Sequence, residues 1–127
     1  MERQLISSAS PYEPVVGFSR AVRVGQHVYV AGTAPIMPDA AAPPEGAYAQ
    51  TRRCLEIIRE ALADAGASLA NVVRTRAYAT SGDIFDEFAR AHGEVFAEIR
   101  PASAFVVVAA LADPRWLVEL EADAVVP

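Results

Sequence analysis

The sequence predicts an α+β fold in which two helices cover one face of a mixed sheet, in the order β-β-α-β-α-β-β. Three observations carry that expectation: two stretches with apolar residues at helical spacing, several segments that alternate with a period of two, and a Gly-Gln pair between two apolar runs. The length of 127 residues suits a single domain, residues 1–127, and 53% hydrophobic against 21% charged residues supports a filled core.

Residues 1 to 17, rich in Ser, Pro and Gly, read as an extended lead-in that Tyr12 and Phe18 anchor and that can fold back over a site. FSRAVRV and HVYVAGT flank Gly25-Gln26, the pattern of a tight II′ hairpin. Residues 34 to 46 contain four prolines and read as a loop. Tyr48, Thr51, Leu55, Ile58, Leu62 and Ala65 then recur every three or four residues, which predicts a helix closed by Gly66. Its charged face, with Arg52, Arg53, Arg59, Glu60 and Asp64, reads as solvated.

Residues 71 to 80 predict a third strand, with Val73, Thr75, Ala77 and Ala79 on one face and Arg74, Arg76 and Tyr78 on the other. Asp83 is the expected cap of a second helix whose stripe is Ile84, Phe88, His92, Val95 and Ile99, and which runs to about Arg100 before Pro101. Residues 104 to 111 are apolar at every position, as in a strand buried on both faces. Residues 117 to 125 alternate, with Val118, Leu120, Ala122 and Ala124 opposite Glu119, Glu121 and Asp123.

Two helices leave the second sheet face without a cover, and another subunit is the economical one, so the pattern implies an oligomer with a polar pocket at the boundary. A net charge of −5 disfavours nucleic acid as a partner. Cys54 stands alone, so there is neither an intrachain disulfide nor a cysteine pair for zinc, and a reducing cytoplasm fits. No secretory signal and no membrane-spanning stretch is expected.

GFSRAVRVGQHVYVAGTAP, the helix beginning near Gln50, GASLANVVRTRAYAT, HGEVF, RPAS and LVELEADA together resemble the Rid family, also called the YjgF family, of reactive intermediate deaminases. The likeness spans roughly Phe18 to Val125. It implies a chorismate-mutase-like α+β subunit in a homotrimer with clefts between subunits, binding a small imine, enamine or carbonyl compound. For the deaminase branch of the family it further implies hydrolysis of enamines and imines such as 2-aminoacrylate to a keto acid and ammonia, without metal or organic cofactor. A non-catalytic small-molecule-binding or interaction trimer on the same scaffold is the alternative, and a ribonuclease reading ranks last because the chain is acidic.

Glu119 matches the family glutamate that holds or activates water, with Glu121 next on the same face; its other reading is a salt bridge with Arg74 or Arg76 at the subunit interface. In the family a Pro-Ala-Arg-Ser segment grips the substrate carboxylate through its arginine, and here Ser103 occupies that position. A serine offers one neutral donor where arginine offers a charged fork, which implies altered specificity. Arg76 is the candidate replacement cation, or else a partner in a subunit-boundary ion pair. Tyr12 resembles the tyrosine that closes the cleft, and Gly32, in AGT, a turn whose amides contact ligand; anchoring and strand termination are their structural readings. His92 reads as a hydrogen-bonded core histidine or a proton-transfer group. Trp116 reads as rim packing and Cys54 as inert.

Overall fold

In the computed structural model, which describes residues 2–127, the chain forms β1 (Arg3–Ile6), α1 (Tyr12–Val16), β2 (Ala21–Val24), β3 (His27–Thr33), α2 (Ala47–Asp64), β4 (Val72–Ala79), α3 (Phe85–Phe96), β5 (Ala102–Val107) and β6 (Val118–Val125). One six-stranded sheet runs in the order β1-β2-β3-β6-β4-β5. Its neighbours are antiparallel except β4 and β5, which are parallel because α3 carries the chain back across the sheet between them. This is the α+β architecture that the periodicities predict, with α2 and α3 on one face.

The core lies between that helical layer and the inward residues of the strands. Leu55, Ile58 and Leu62 of α2 and Phe88 and Phe96 of α3 meet Val28, Val30, Val118 and Leu120. Helix α2 ends as its sequence dictates: Gly66 adopts φ +78, the Gly66 amide bonds the Ala63 carbonyl and the Ala67 amide bonds that of Leu62, a Schellman closure. Gly25 (φ +60) turns β2 into β3 with Val24 opposite His27, and Gln26 keeps a negative φ, so the II′ hairpin is present as expected.

Several expectations need correction. The lead-in is not only an extended arm: Arg3–Ile6 pairs with β2 and adds a sixth strand, and Pro11 opens the short helix α1. Tyr48 leaves the buried stripe of α2, its ring lying under the Arg90 guanidinium at 4.0 Å, while Cys54 and Ala61 take core places. A bulge between Val72 and Arg74 buries Val72 and turns Val73 outward. Ser81, not Asp83, caps the turn that leads into α3, and α3 ends at Phe96, with Arg100 at φ +56 ahead of Pro101. The apolar run at 104 to 111 is a strand only as far as Val107. It forms a sheet edge, and Val106 and Val107 are exposed in the single subunit instead of buried on both faces.

Candidate functional site

Strand β6 is central, flanked by β3 and β4, and its alternation sends Val118 and Leu120 into the core and Glu119 to the open face. Opposite it, β3 contains an extra residue: Val30 faces Ala122 but Thr33 already faces Leu120. Gly32 sits in that bulge, and a Cβ built on it would collide with Glu119 Oε1. The carboxylate therefore lies directly on the glycine backbone, an approach that only a residue without a side chain permits. Gly32→Ala is expected to push the Glu119 side chain off this position, a displacement that a crystal structure of the variant would register.

Within the single subunit Glu119 makes no hydrogen bond or ion pair among the described residues, and neither Arg74 nor Arg76 of the same chain pairs with it. Burial raises its pKa above the ordinary 4.5; the nearby Arg20 guanidinium pulls it back down and Glu121 pushes it further up. A half-buried, unpaired carboxylate with an elevated pKa is a competent general base near neutrality.

Arg20 is the residue that sequence reasoning missed. Only 3% of it is exposed. Nη1 donates to the Gly32 carbonyl at 2.6 Å and to Thr33 Oγ1 at 3.1 Å, and Nε donates to Ser8 Oγ at 3.2 Å. Ser8 Oγ in turn donates to Glu13 Oε2 at 2.7 Å, which also accepts the Ser8 and Ser10 amides. Burial raises the Glu13 carboxyl, but these hydrogen bonds to the charged form outweigh it and the net shift is downward. A continuous polar chain thus ties the N-terminal arm to the bulge beneath Glu119.

Tyr12, on the same arm, packs edge-on against the buried Trp116, with ring centroids 5.9 Å apart. Trp116 belongs to the segment that enters β6, and the buried Gln50 amide fixes that segment by donating to the Arg115 carbonyl at 3.0 Å and accepting the Leu117 amide at 2.8 Å. Both the arm and the approach to Glu119 are therefore held in register with α2.

The remaining candidates lie elsewhere. Arg76 shares the open face but pairs with Glu121 at 3.6 Å and Asp123 at 3.4 Å, and Tyr78 donates to Glu121 at 2.6 Å. Ser103 and His92 lie together on the helical side: Thr75 Oγ1 is 2.8 Å from Ser103 Oγ and 2.9 Å from His92 Nε2. One subunit does not bring Ser103 to Glu119, since they face opposite sides of the sheet two strands apart. Cys54 is fully buried and its thiol pKa is pushed far up by desolvation, then by Glu119. No group of three His, Cys, Asp or Glu side chains converges to hold a metal ion among the described residues, and no helix there is long and apolar enough to cross a membrane.

Comparison with known proteins places this geometry. The family model described as Endoribonuclease L-PSP matches residues 8–126. The crystal structure of Rv2704 from Mycobacterium tuberculosis, described as a member of the highly conserved YjgF/YER057c/UK114 family, matches with a TM-score of 0.90 and 46% identity over 98% of this chain and 100% of that one. The chain belongs to the Rid (YjgF) family. Other relatives of this Rid protein include a RutC family protein of Pyrococcus abyssi, 34% identical over 126 residues and 98% of each chain. The 3-aminoacrylate deaminase RutC of Acinetobacter baylyi is 29% identical over 94% of this chain and 95% of its own. The Rid fold expected from the sequence motifs is thus the fold present, with the N-terminal strand as an addition to the expected order.

Proposed function

We propose that this Rid protein is a cytoplasmic homotrimer that binds small imines, enamines or their carbonyl counterparts between subunits and hydrolyses the C=N bond, with Glu119 orienting the attacking water. The observation that carries the reading is the unpaired, desolvated Glu119 carboxylate lying on the Gly32 bulge. The deaminase relative supports the reaction class. The open sheet face supports the assembly: Leu5 and Tyr29 are 62% and 50% exposed there, around a hollow of about 660 Å³ that also reaches Arg76.

The chemistry needs no group beyond the chain and water. An enamine first takes a proton at its β-carbon and becomes the imine. Glu119 accepts a proton as the water oxygen bonds to the imine carbon, and the C=N pair withdraws onto nitrogen, which is protonated. Collapse of the resulting amino alcohol then breaks the C–N bond and releases ammonia and the carbonyl compound. The endoribonuclease wording of the family model finds little support here, because Arg76 is matched by two carboxylates and the net charge is −5.

The test is ammonia release from a panel of imines and enamines generated in solution, measured against the rate in water, alongside light scattering. A mass three times the 13.5 kDa chain and accelerated release are expected. A stable monomer at micromolar concentration, or no acceleration for any compound of the panel, would sink the proposal.

A further inference from the structure

A second hollow, also of about 660 Å³, is bounded within one subunit by the N-terminal arm, the 34–40 loop and α2, and neither Glu119 nor Arg76 lines it. Its walls are shaped in advance. Of the four described residues other than glycine that hold a positive φ, three line it: Ala9 at +61, Asp39 at +58 and Ala40 at +57. Left-handed backbone is unfavourable for such residues, persists only where the surrounding structure fixes it, and gathers at ligand clamps. Arg53 of α2 supplies part of that fixing, since its Nε donates to the Ile36 carbonyl at 2.8 Å.

Three kinds of lining imply three parts of an occupant. Ile36, Met37 and Ile57 line the hollow half-buried, an apolar floor that a hydrocarbon chain covers. Asp39, Glu60 and Asp64 are exposed at its rim, and none of their carboxylates pairs with a cation among the described residues, whereas Arg53 is already matched by Glu56 at 2.6 Å. Their summed field attracts an ammonium group. At the buried end Arg20, only 3% exposed, spends Nε on Ser8 and Nη1 on Gly32 and Thr33, while Nη2 donates to nothing among the described residues. That nitrogen is not sealed in, because the single fully buried side-chain atom without a partner there is Thr51 Oγ1. It is a free donor for an acceptor oxygen. A carboxylate is the wrong one: Glu13 and Glu119 already offset the Arg20 charge, whereas a carbonyl oxygen takes the hydrogen bond without adding a third anion.

We infer that this hollow is a second small-molecule site, and that its ligand is a primary amine whose apolar chain ends in an uncharged carbonyl group, as in an amino amide or amino ketone. The ammonium sits among Asp39, Glu60 and Asp64, the chain lies on Ile36, Met37 and Ile57, and the carbonyl oxygen accepts from Arg20 Nη2.

Titration of the native protein with 6-aminohexanamide, followed by NMR, tests the assignment. Shift changes are expected to concentrate on Ser8, Ile36, Met37 and Ile57. The amide is expected to bind about tenfold more tightly than hexylamine, which lacks the carbonyl, and about threefold more tightly than hexanamide, which lacks the ammonium. It is also expected to bind more tightly than 6-aminohexanoate, which carries a carboxylate in its place. This series of ligands reads the Arg20 contact without replacing a side chain on which folding depends. Glu60→Gln combined with Asp64→Asn changes only exposed positions and is expected to weaken binding about threefold at low salt, a difference that fades as salt screens the native rim. Hexylamine or hexanamide binding as tightly as the amide, tighter binding of the carboxylate, unchanged affinity in the double variant, shifts centred on Tyr29 and Arg76, or no binding at millimolar concentration would each overturn the inference. None of these outcomes touches hydrolysis at Glu119, which ammonia release measures separately.

Discussion

Glu119→Gln lowers imine hydrolysis by roughly 10²- to 10⁴-fold, the usual contribution of a positioned acid or base, and leaves the assembly intact. The glutamine keeps the shape that rests on Gly32 and removes the group that accepts the proton from water. The same carboxylate sets the acid limb of the pH–rate profile. Because burial raises its pKa, activity rises with pH through a midpoint above the ordinary 4.5 of glutamate and fades below it. Stability moves in the opposite sense. A raised folded-state pKa means that the folded chain holds this proton more tightly than the unfolded one. Its contribution is therefore full below the unfolded value and declines as pH rises through the folded one. At neutral pH the glutamine variant consequently melts no lower than the native protein, which calorimetry checks directly. A variant that loses stability and keeps its rate would assign Glu119 to the architecture instead.

Arg20→Met produces the largest loss of stability, roughly 3 kcal/mol, because charge-assisted hydrogen bonds contribute about 1.5 to 3 kcal/mol each and the change leaves buried acceptors unpaired. The Gly32 carbonyl and Thr33 and Ser8 hydroxyls all lose their donor, and the attraction that Arg20 exerts on Glu13 disappears with it. Methionine fills much of the vacated volume, so the deficit reports polar interactions more than a cavity. Urea denaturation measures it, at one protein concentration for both proteins so that any association of subunits enters equally. The acid limb of the rate profile moves upward as well, because Arg20 is the cation that holds the Glu119 pKa down. A midpoint unchanged from the native protein would show that the arm and the bulge are not coupled through this side chain.

How much of this was legible in the sequence depended on whether the signal was local. The alternation from Val118 to Asp123 gave both the strand and the side on which Glu119 stands, because period-two patterning is a property of the backbone. The hairpin at Gly25 and the closure at Gly66 were equally readable from their glycines. Three features were not. An apolar run reports that a strand needs a cover but not what supplies it, so residues 104 to 111 suggested burial where a single subunit has an exposed edge. RQLI is too short and too polar to announce a strand without its partner β2. Arg20 directly precedes β2, and no local pattern there marks it as buried. Its burial follows from Ser8 and Gly32, which are twelve residues away on either side. The pairing of Ser103 with Thr75 and His92 required the parallel register of β4 and β5, which no local pattern encodes.

The order of the sheet has a consequence for how the chain is made. Its central strand, β6, is the last to be synthesised, and it lies between β3 and β4. As the chain leaves the ribosome, the β1-β2-β3 meander and the β4-α3-β5 unit can each form locally, but nothing joins them. Until residues 118 to 125 emerge, β3 and β4 each present an unpaired edge, the kind that recruits foreign strands. Productive folding of the nascent chain therefore waits for residues 118 to 125, and the strand that carries Glu119 is also the one that closes the sheet.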